Sequence, residues 1–368
     1  MRILQLVTRR QYRGAEMSAF FLSKQLLEEG HEIFWVGLYK TKDNILELPG
    51  AFNADLSGNK SGFINKEKVR SLKKIIKEKN IDIIQCNGSD TLKYVVAAQL
   101  FDRKVPFVYR NISKISFWLK KSFIKKILTG FLLSKSSAIV SVGVKSKEDV
   151  LSIFPKLVNK ISVISRGVPS LKIDGIEKRA QIIQEFGINK SNKILLWAGS
   201  FSFEKNPAFM LDVMQFVDEN AILIMAGNGI LIDEIKDLLH QRNLQNRIII
   251  AGYRNDLQDL LSAADLFLLG SKIEGVPGVI LEAAVQEVPS VAVAVGGVEE
   301  VVINNKTGII LQDHDSKKFA SSVNMLLQNE NLRMEMGKNA RHFVLKNFNE
   351  KNNALRFIEL YKKITDKN

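Results

Sequence analysis

Two glutamates flank a short loop of glycine and proline in the second half of this 368-residue chain. Glu274 stands before Gly275 and Pro277, and Glu282 lies eight positions further on, inside an apolar helical pattern that starts near Gly278. The first turn of such a helix has backbone N–H groups without intrahelical partners, so it is suited to bind an anion such as a diphosphate. Glu282 can accept two hydrogen bonds from a ribose diol, and Glu274 can reach a sugar hydroxyl. Either glutamate alone is equally well explained as an ordinary solvated residue.

The elements that must position these residues follow a repeated βα pattern. Apolar runs alternating with helical patterns predict a parallel, doubly wound sheet. In the first half the runs lie at 3–7, 33–37, 81–85, 106–109, 138–142 and 161–164, with helices at 15–28, 66–79 and 91–101. The second half repeats the pattern, with strands at 194–198, 222–226, 248–251, 266–269, 290–293 and 308–311, helices beginning near Pro207, Leu231, Asp256, Gly278 and Lys317, and final helices at 332–346 and 352–363.

The fold class predicted is therefore α/β, with two Rossmann-like domains facing a central cleft. The length is that of about two ordinary domains. The first domain is expected at 1–168 and the second at 169–349, and the last helix, about 350–368, is expected to return to the first domain. Ligands of open α/β sheets bind beyond the carboxyl ends of the strands, so chemistry is expected in the loops that follow each run.

Positive charge is concentrated in the first half of the chain. Residues 1–170 hold 30 Lys and Arg against 14 Asp and Glu, a net of +16, whereas residues 171–368 hold 23 against 25, a net of −2. Such a field implies an anionic partner for the first half. Phospholipid headgroups, a polyprenyl phosphate, a phosphorylated sugar and nucleic acid all have the required charge.

Cysteine content and hydropathy restrict the cellular location. The single cysteine, Cys86, excludes an intramolecular disulfide and a cysteine-based metal site. The apolar run at 3–7 is too short for a secretory signal, and no run of about 18 apolar residues occurs. We expect a cytoplasmic protein, with peripheral attachment to the inner face of the membrane left open.

The stretch at 271–311, "SKIEGVPGVILEAAVQEVPSVAVAVGGVEEVVINNKTGIIL", resembles the donor-site signature of a known family. It is the retaining glycosyltransferase family 4, also described as glycosyl transferases group 1, which has two Rossmann domains in the GT-B fold. "GHEIFWVG", "KISVISRGVP", "LWAGSFSFEKNP", "MAGNG" and "AGYRNDLQDLLSAADLFLLGS" occupy the family's usual places in the usual order. The resemblance thus covers nearly the whole chain, but it does not specify a substrate.

The resemblance implies a nucleotide-sugar donor site in the second domain. Glu282 would hold the ribose, and Glu274 would hold the transferred sugar. Lys205 in "FEKNP" matches the lysine that neutralises the donor diphosphate, whose negative charge grows as the glycosidic bond breaks. Glu274 and Lys205 are the predicted catalytic residues, and no metal or other cofactor is expected. The other predicted donor-binding residues are Gly14, Gly199, Ser200, Gly227, Arg254, Gly275, Val276, Pro277, Gly278 and Val279.

The chain departs from the family in the cationic part of this site. Family members often have an arginine directly after the glycine, where this chain has Gly199 and Ser200. Arg254 or Arg166 could supply the second charge. Arg254 also lies in a region that contacts the nucleobase in the family, and a plain surface arginine remains an equal alternative. In the first domain, a single Gly14 replaces the usual Gly-Gly and still permits close backbone approach.

The expected acceptor site lacks the histidine that many family members carry. Arg13, Asn87, Arg110 and Asn111 are the acceptor-binding candidates, with a structural role left open for each. The four histidines are expected to be structural. A front-face retaining reaction tolerates the absence of a general base, because the leaving phosphate accepts the proton of the acceptor hydroxyl.

A basic, aromatic segment at 115–135 combines four aromatic residues with several lysines. It could lie on an anionic membrane surface, or it could be a core helix whose lysines reach solvent. Nucleic-acid binding is not expected, because no recognised motif accompanies the charge.

The resemblance, together with these observations, predicts a retaining glycosyltransferase of the hexosyltransferase type. It would transfer a sugar from a UDP- or GDP-sugar to a hydroxyl of a glycan or lipid-linked acceptor in bacterial surface polysaccharide synthesis, which includes lipopolysaccharide. Two alternatives remain open: a catalytically silent sugar-nucleotide sensor or assembly subunit, and a nucleotide-sugar epimerase on the same fold.

Overall fold

Two separate parallel sheets organise the chain. The computed structural model describes residues 1–41, 44–58, 64–99, 105–119 and 122–366. The chain divides into two units, one formed by Met1–Gly167 with Glu350–Asn368 and the other by Val168–Asn349. The boundary predicted at 168/169 lies one residue from this division.

The first unit holds a seven-stranded sheet with the strand order β3-β2-β1-β4-β5-β6-β7. The order reverses between β1 and β4, which is where loops diverge and ligands bind in such sheets. Its elements in chain order are β1 (Arg2–Arg9), α1 (Gly14–Glu28), β2 (Glu32–Tyr39), β3 (Phe52–Asp55), α2 (Lys66–Glu78), β4 (Ile83–Asn87), α3 (Ser89–Ala98), β5 (Phe107–Asn111), α4 (Ile115–Leu119), α5 (Phe123–Ser134), β6 (Ala138–Ser141), α6 (Val144–Ile153), a 3-10 helix (Pro155–Lys160) and β7 (Ile161–Val163).

The second unit repeats the arrangement with six strands in the order β10-β9-β8-β11-β12-β13. Here the order reverses between β8 and β11. Its elements are α7 (Gly175–Phe186), β8 (Lys193–Ala198), α8 (Pro207–Met214), β9 (Ala221–Ala226), α9 (Ile232–Gln241), β10 (Ile248–Gly252), α10 (Leu257–Ala263), β11 (Leu266–Leu269), α11 (Gly278–Val285), β12 (Ser290–Val293), α12 (Val298–Val301), β13 (Gly308–Leu311), α13 (Ser316–Gln328) and α14 (Glu330–Asn347).

Helices cover both faces of each sheet, so the side chains on both faces of its strands are buried. The strands therefore coincide with continuous apolar runs in the sequence. In β1, Leu4 and Leu6 point into one core and Ile3 and Val7 into the opposite one, as the two-residue period of a strand requires. The last helix, α15 (Glu350–Thr365), packs against α1 and belongs to the first unit, which is the return predicted from the sequence.

The structure differs from the predicted elements at several points. Strand β3 was not predicted, because this short edge strand carries exposed and mixed residues rather than an apolar run. The segment at 115–135 forms two helices, α4 and α5, instead of one, and Lys120 and Lys121 lie outside the described residues. The helix expected at 91–101 runs from Ser89 to Ala98 and ends at its C-cap Gln99, and residues 100–104 lie outside the described part.

Candidate active site

An ion pair joins the two loops that follow the strands at the reversal point of the second sheet. Lys205 lies in the loop after β8 and Glu274 in the loop after β11, and Lys205 Nζ donates to Glu274 Oε1 at 2.7 Å. The Glu274 side chain is 6% exposed and the Lys205 side chain 29% exposed. A ligand arriving from solvent can therefore reach the ammonium group more easily than the carboxylate.

The two loops are also tied together through their backbones. The amides of Lys272 and Ile273 donate to Glu204 O at 2.8 and 3.3 Å, directly beside the ion pair. Asn206, which has a φ of 50°, donates from Nδ2 to Gly270 O at 3.1 Å. His314 Nε2 lies 3.2 Å from Gly270 O and 3.1 Å from Ser271 O. Because both neighbours are carbonyl oxygens, this nitrogen must carry the proton, and His314 acts as a structural clamp on the end of β11.

Glycines allow the neighbouring loops to approach this pair closely. A Cβ on Gly296, which has a φ of +54°, would lie 2.0 Å from Glu274 O. The next amide, of Gly297, donates to Gly275 O at 2.6 Å. On the other side, a Cβ on Gly227 would lie 1.8 Å from Gly199 O. The loops after β12 and β9 thus pack backbone to backbone against the loops that carry Glu274 and Lys205.

Helix α11 starts directly after the Glu274 loop. Pro277 occupies the N-cap position without a side-chain cap, so the first amides, from Gly278 and Val279 onward, have no partner within the helix. Gly275 and Val276 form the connection and are partly buried. Aligned N–H groups at a helix start attract an anion, which makes this turn a candidate phosphate site.

Glu282 lies one turn into α11 and is partly buried. Gln258 Nε2 donates to Glu282 Oε2 at 3.5 Å, and Gln286 Nε2 donates to Gln258 Oε1 at 3.1 Å. This chain of amides orients the carboxylate from the side of α10. Glu282 keeps acceptor capacity for a diol, since a carboxylate can accept several hydrogen bonds.

The predicted cationic partners of Lys205 are placed differently from one another. Arg254 Nε donates to Asp256 Oδ1 at 2.8 Å, and its guanidinium also binds Glu185 and lies over the Phe186 ring. The hydrogen bonds that Arg254 donates to the carboxylates of Glu185 and Asp256 raise its pKa. Arg254 is therefore held on α7 by structural ion pairs. Arg166 belongs to the first unit, where it is buried.

At the position of the missing arginine, Ser200 forms a short polar contact within its own loop. Its Oγ lies 3.2 Å from Ser202 Oγ, and the preceding amide of Gly199 donates to Ala226 O at 3.0 Å. This loop therefore offers small groups and backbone to a ligand, with Lys205 as its cation.

In the first unit, the start of α1 remains open around its glycine. No atom lies within 4 Å of a Cβ built on Gly14, and Arg13 before it is exposed. The protein itself does not require a glycine at this position. Of the neighbouring arginines, Arg10 is buried and binds Asp55 at 2.9 Å, so its charge is used inside the unit.

Asn87, Arg110 and Asn111 lie within strands, not in the loops where the sequence placed them. Asn87 ends β4, donates to Gln5 Oε1 at 3.1 Å and accepts from Gln85 Nε2 at 3.2 Å. Arg110 and Asn111 end β5, and both are buried. The strands extend two residues further than predicted, and the polar side chains at their ends bond to other groups inside the unit: Asn87 to Gln5 and Gln85, Arg110 to Ser18, and Asn111 to the Ser146 carbonyl. Burial favours the structural alternative for all three.

Arg110 is the least compensated of these residues. Its Nη2 donates to Ser18 Oγ at 2.6 Å, whereas Nε and Nη1 have no hydrogen-bond partner among the described residues. Burial, together with the charge of Arg166, lowers the pKa of Arg110 to about 10. The guanidinium lies 5.8 Å from the Phe357 ring centroid, so α15 packs directly on this charge.

The described residues contain no group of three or more His, Cys, Asp or Glu that could hold a metal ion. None of the helices within 1–41, 44–58, 64–99, 105–119 and 122–366 is long and apolar enough to span a membrane.

Two family models match the two units. The model for glycosyl transferases group 1 matches residues 178–343, and the model for glycosyltransferase family 4 matches residues 12–170. The chain belongs to these GT-B glycosyltransferase families. The resemblance and the fold class predicted from the sequence are thereby confirmed, and glycosyl transfer is the supported reaction class.

Individual relatives and a solved structure are consistent with this assignment. UDP-Gal:alpha-D-GlcNAc-diphosphoundecaprenol alpha-1,3-galactosyltransferase from Escherichia coli is 25% identical over 291 residues, or 76% of this chain and 74% of that protein. N,N'-diacetylbacillosaminyl-diphospho-undecaprenol alpha-1,3-N-acetylgalactosaminyltransferase from Campylobacter jejuni is 24% identical over 308 residues, or 80% of each chain. The crystal structure of Anabaena HepE with UDP-glucose superposes with a TM-score of 0.86 at 19% identity, covering 99% of this chain and 100% of that one.

Some site residues were not among the sequence candidates. Gly296 and Gly297 position the Glu274 loop, Asn206 and His314 hold the end of β11, and Gln258 orients Glu282. A signal existed for the glycines, since "VGG" directly after a predicted strand indicates close backbone approach. No sequence pattern indicates the other contacts, which join residues far apart in the chain.

Proposed function

We propose that this protein is a retaining glycosyltransferase that uses a UDP- or GDP-sugar as donor. The observation that carries the proposal is the Lys205–Glu274 pair at the reversal point of the second sheet, next to the start of α11. A partly exposed cation close to open helix amides is what a diphosphate requires. The donor is further supported by HepE, whose crystal structure holds UDP-glucose.

The donor would replace the internal ion pair by two sets of contacts. Its diphosphate would take the ammonium of Lys205 and the first amides of α11, and the transferred sugar would give its hydroxyls to the freed carboxylate of Glu274. Glu282 would accept the ribose hydroxyls. Each group thus exchanges a partner within the protein for one in the donor, so the charges are never left unpaired.

In the reaction, the bond from the anomeric carbon to the diphosphate breaks and the acceptor oxygen bonds to that carbon on the same face. The proton of the acceptor hydroxyl passes to an oxygen of the leaving diphosphate, which serves as the base. Lys205 and the α11 amides stabilise the charge that develops on the diphosphate. Glu274 holds the sugar in place, and this fixed position supplies much of the rate.

The acceptor proposed is a hydroxyl of a glycan or lipid-linked sugar in bacterial surface polysaccharide synthesis, which includes lipopolysaccharide. Both curated relatives named above act on diphosphoundecaprenol-linked sugars, and both names specify α-1,3 linkages. A retaining enzyme forms an α linkage from an α-linked nucleotide sugar. The excess of +16 on residues 1–170 suits an acceptor that carries a diphosphate.

No divalent cation takes part in the proposed reaction, since Lys205 and helix amides carry the positive charge. We expect the initial rate to be the same after dialysis against EDTA and after addition of Mg²⁺ or Mn²⁺. A rate that falls with EDTA and returns with Mn²⁺ would assign part of the diphosphate charge to a metal.

The test of the whole proposal is release of nucleoside diphosphate from a panel of UDP-, GDP- and ADP-sugars, with binding measured by calorimetry in parallel. Wild type, Lys205→Ala and Glu274→Ala are compared with Lys236→Ala, which removes an exposed lysine on α9 of the same unit. We expect turnover with a UDP- or GDP-sugar in wild type and in the control only. Tight binding without turnover for every donor would indicate a sensor, and epimerised donor without acceptor would indicate an epimerase.

A further inference from the structure

Helix α5 turns apolar side chains toward solvent. Phe123, Ile124, Ile127 and Phe131 are 73%, 79%, 57% and 47% exposed, and Leu133 is the only buried residue of the helix. At about 100° per residue these four side chains fall within about one quarter of the helix surface. We name them the α5 stripe. An ordinary surface helix of a globular protein has the reverse arrangement, with its apolar stripe on the core.

The opposite face of α5 is fixed, so the helix cannot rotate to bury the stripe. Leu133 lies in the core of the first sheet, and Leu132 packs against that core. At the edge of the stripe, a Cβ on Gly130 would lie 3.0 Å from the Phe154 ring, so this side of the helix is also closely packed. Ser122 caps its first turn by accepting from the Lys125 amide at 3.4 Å.

The preceding helix, α4, adds an aromatic residue of the kind found at membrane interfaces. Trp118 is 54% exposed, and its indole N–H donates to Ser113 Oγ at 3.1 Å. Its ring packs edge-on against Phe117 at 5.1 Å. Trp combines an apolar body with a polar N–H, which suits the boundary between headgroups and acyl chains.

The segment that carries the stripe has side-chain charges of one sign. Residues 115–135 contain five lysines and no Asp or Glu. Lys125 and Lys126 are exposed, and Lys135 Nζ lies 5.1 Å from the Phe131 ring centroid. A patch of apolar side chains among lysines requires a partner that is both apolar and anionic.

We propose that the α5 stripe docks the first unit on an anionic phospholipid surface, with the apolar side chains among the headgroups and the lysines on the phosphates. A second copy of the chain fits this surface poorly, because a two-fold interface would bring Lys125, Lys126 and Lys135 against the same lysines of the copy. The inference rests on the proposed function in one respect, since a lipid-linked acceptor would lie in the same surface.

The test is partition of the full chain between buffer and vesicles of phosphatidylglycerol with phosphatidylcholine, measured by flotation. Phosphatidylcholine vesicles alone serve as the uncharged comparison. We expect binding to the anionic vesicles, at least tenfold weaker binding to the neutral ones, and weaker binding as salt increases. Equal recovery with both vesicle types overturns the proposal.

The double variant Ile124→Ser with Ile127→Ser removes half of the stripe from positions that carry little folding energy. We expect its partition onto anionic vesicles to fall by about a hundredfold, since each large apolar side chain contributes roughly tenfold. The matched control is Leu171→Ser with Ile176→Ser, two apolar residues of the second unit that are 74% and 86% exposed. Equal losses in both double variants, or no loss in the first, contradict the proposal.

Two further measurements separate this inference from its alternatives. Donor turnover with a water-soluble acceptor should be unchanged in the stripe variant, and a chain that turns over no donor at all still reports its vesicle binding. Sedimentation velocity without lipid should give the same species for wild type and stripe variant. A wild-type dimer that the stripe substitutions dissociate would assign the surface to a second copy and overturn the membrane proposal.

Discussion

Each unit buries one glutamate beside the strands at which its sheet order reverses, and the two are compensated differently. Glu274, after β11, binds the ammonium of Lys205 at 2.7 Å. Glu16, in the first turn of α1 after β1, accepts from the amide of Gln11 at 3.4 Å, and none of the described residues forms an ion pair with it. Burial raises the pKa of Glu16. The proposed active site at Glu274 thus differs from the corresponding position of Glu16 in the first unit by an ion-paired lysine, Lys205.

The same contrast extends to the surroundings of the two glutamates. Around Glu274, glycines bring loop backbones together and leave helix amides available to a ligand. In the first unit, Asn87 accepts from Gln85 and donates to Gln5 inside the sheet. The same type of fold thus presents polar groups to a ligand in the second unit and buries polar groups inside the sheet in the first. The predictions below test this difference, starting with the largest expected effect.

Removal of the Lys205 ammonium group should abolish most glycosyl transfer. For Lys205→Ala we expect a fall of about 10²–10³ in kcat, the size found when one preorganised donor to a developing charge is lost. Stability should fall by about 1–3 kcal/mol, because Glu274 would be left buried without its ion pair. Single-turnover kinetics and denaturant unfolding measure the two effects.

A second substitution separates the two consequences of that change. In the double variant Lys205→Ala with Glu274→Gln, the unpaired charge is gone, so stability should return toward wild type while activity stays low. Recovery of activity in the double variant would show that Lys205 acts only by neutralising Glu274.

Disturbing the backbone packing around Glu274 should lower kcat almost as much as removing its ion-pair partner, Lys205. For Gly296→Ala we expect about a hundredfold lower kcat, because the new Cβ would lie 2.0 Å from Glu274 O and must displace that loop. Gly187→Ala is the matched control: its φ of +64° imposes similar backbone strain, but no atom lies within 4 Å of the new Cβ. Equal kinetics for the two variants would mean that the Glu274 loop tolerates the shift.

In the first unit, the corresponding change should affect stability and leave the chemistry intact. Asn87→Ala removes three hydrogen bonds and leaves Gln5 and Gln85 with unmet partners, so we expect a loss of about 1–3 kcal/mol in the free energy of unfolding. Turnover per folded molecule should match wild type. Asn347→Ala, which removes one exposed hydrogen bond, serves as the control. An Asn87→Ala protein that is as stable as wild type but has a raised KM for the acceptor would indicate that Asn87 binds the acceptor.

The succession of strands and helices along the chain and the position of the Glu274 loop could be predicted because they follow from short-range patterns. Continuous apolar runs identify buried parallel strands, and a Gly-Pro loop before a helix identifies an anion site. Strand β3 could not be predicted, since an edge strand of four mixed residues has no such pattern. The sequence also could not show which polar residues near strand ends bond to other groups of the protein. Arg254 and Asn87 both look like polar residues available to a ligand. Only the structure shows that Arg254 already bonds to Glu185 and Asn87 to Gln5.

The smallest effect is expected at the buried glutamate without a cation. The pKa of Glu16 is raised in the folded protein, so folding favours its protonated form, and the ionised form destabilises the fold increasingly as pH rises through and above the ordinary glutamate range. Glu16→Gln removes this penalty and keeps an oxygen acceptor. The variant should therefore melt at a higher temperature than wild type at pH 7.5 and at nearly the same temperature at pH 4, in thermal scans of both proteins. A variant that is less stable at pH 7.5 would show that the negative charge at the start of α1 stabilises the helix by more than its burial costs, and the two glutamates would then be compensated to a similar degree by different means.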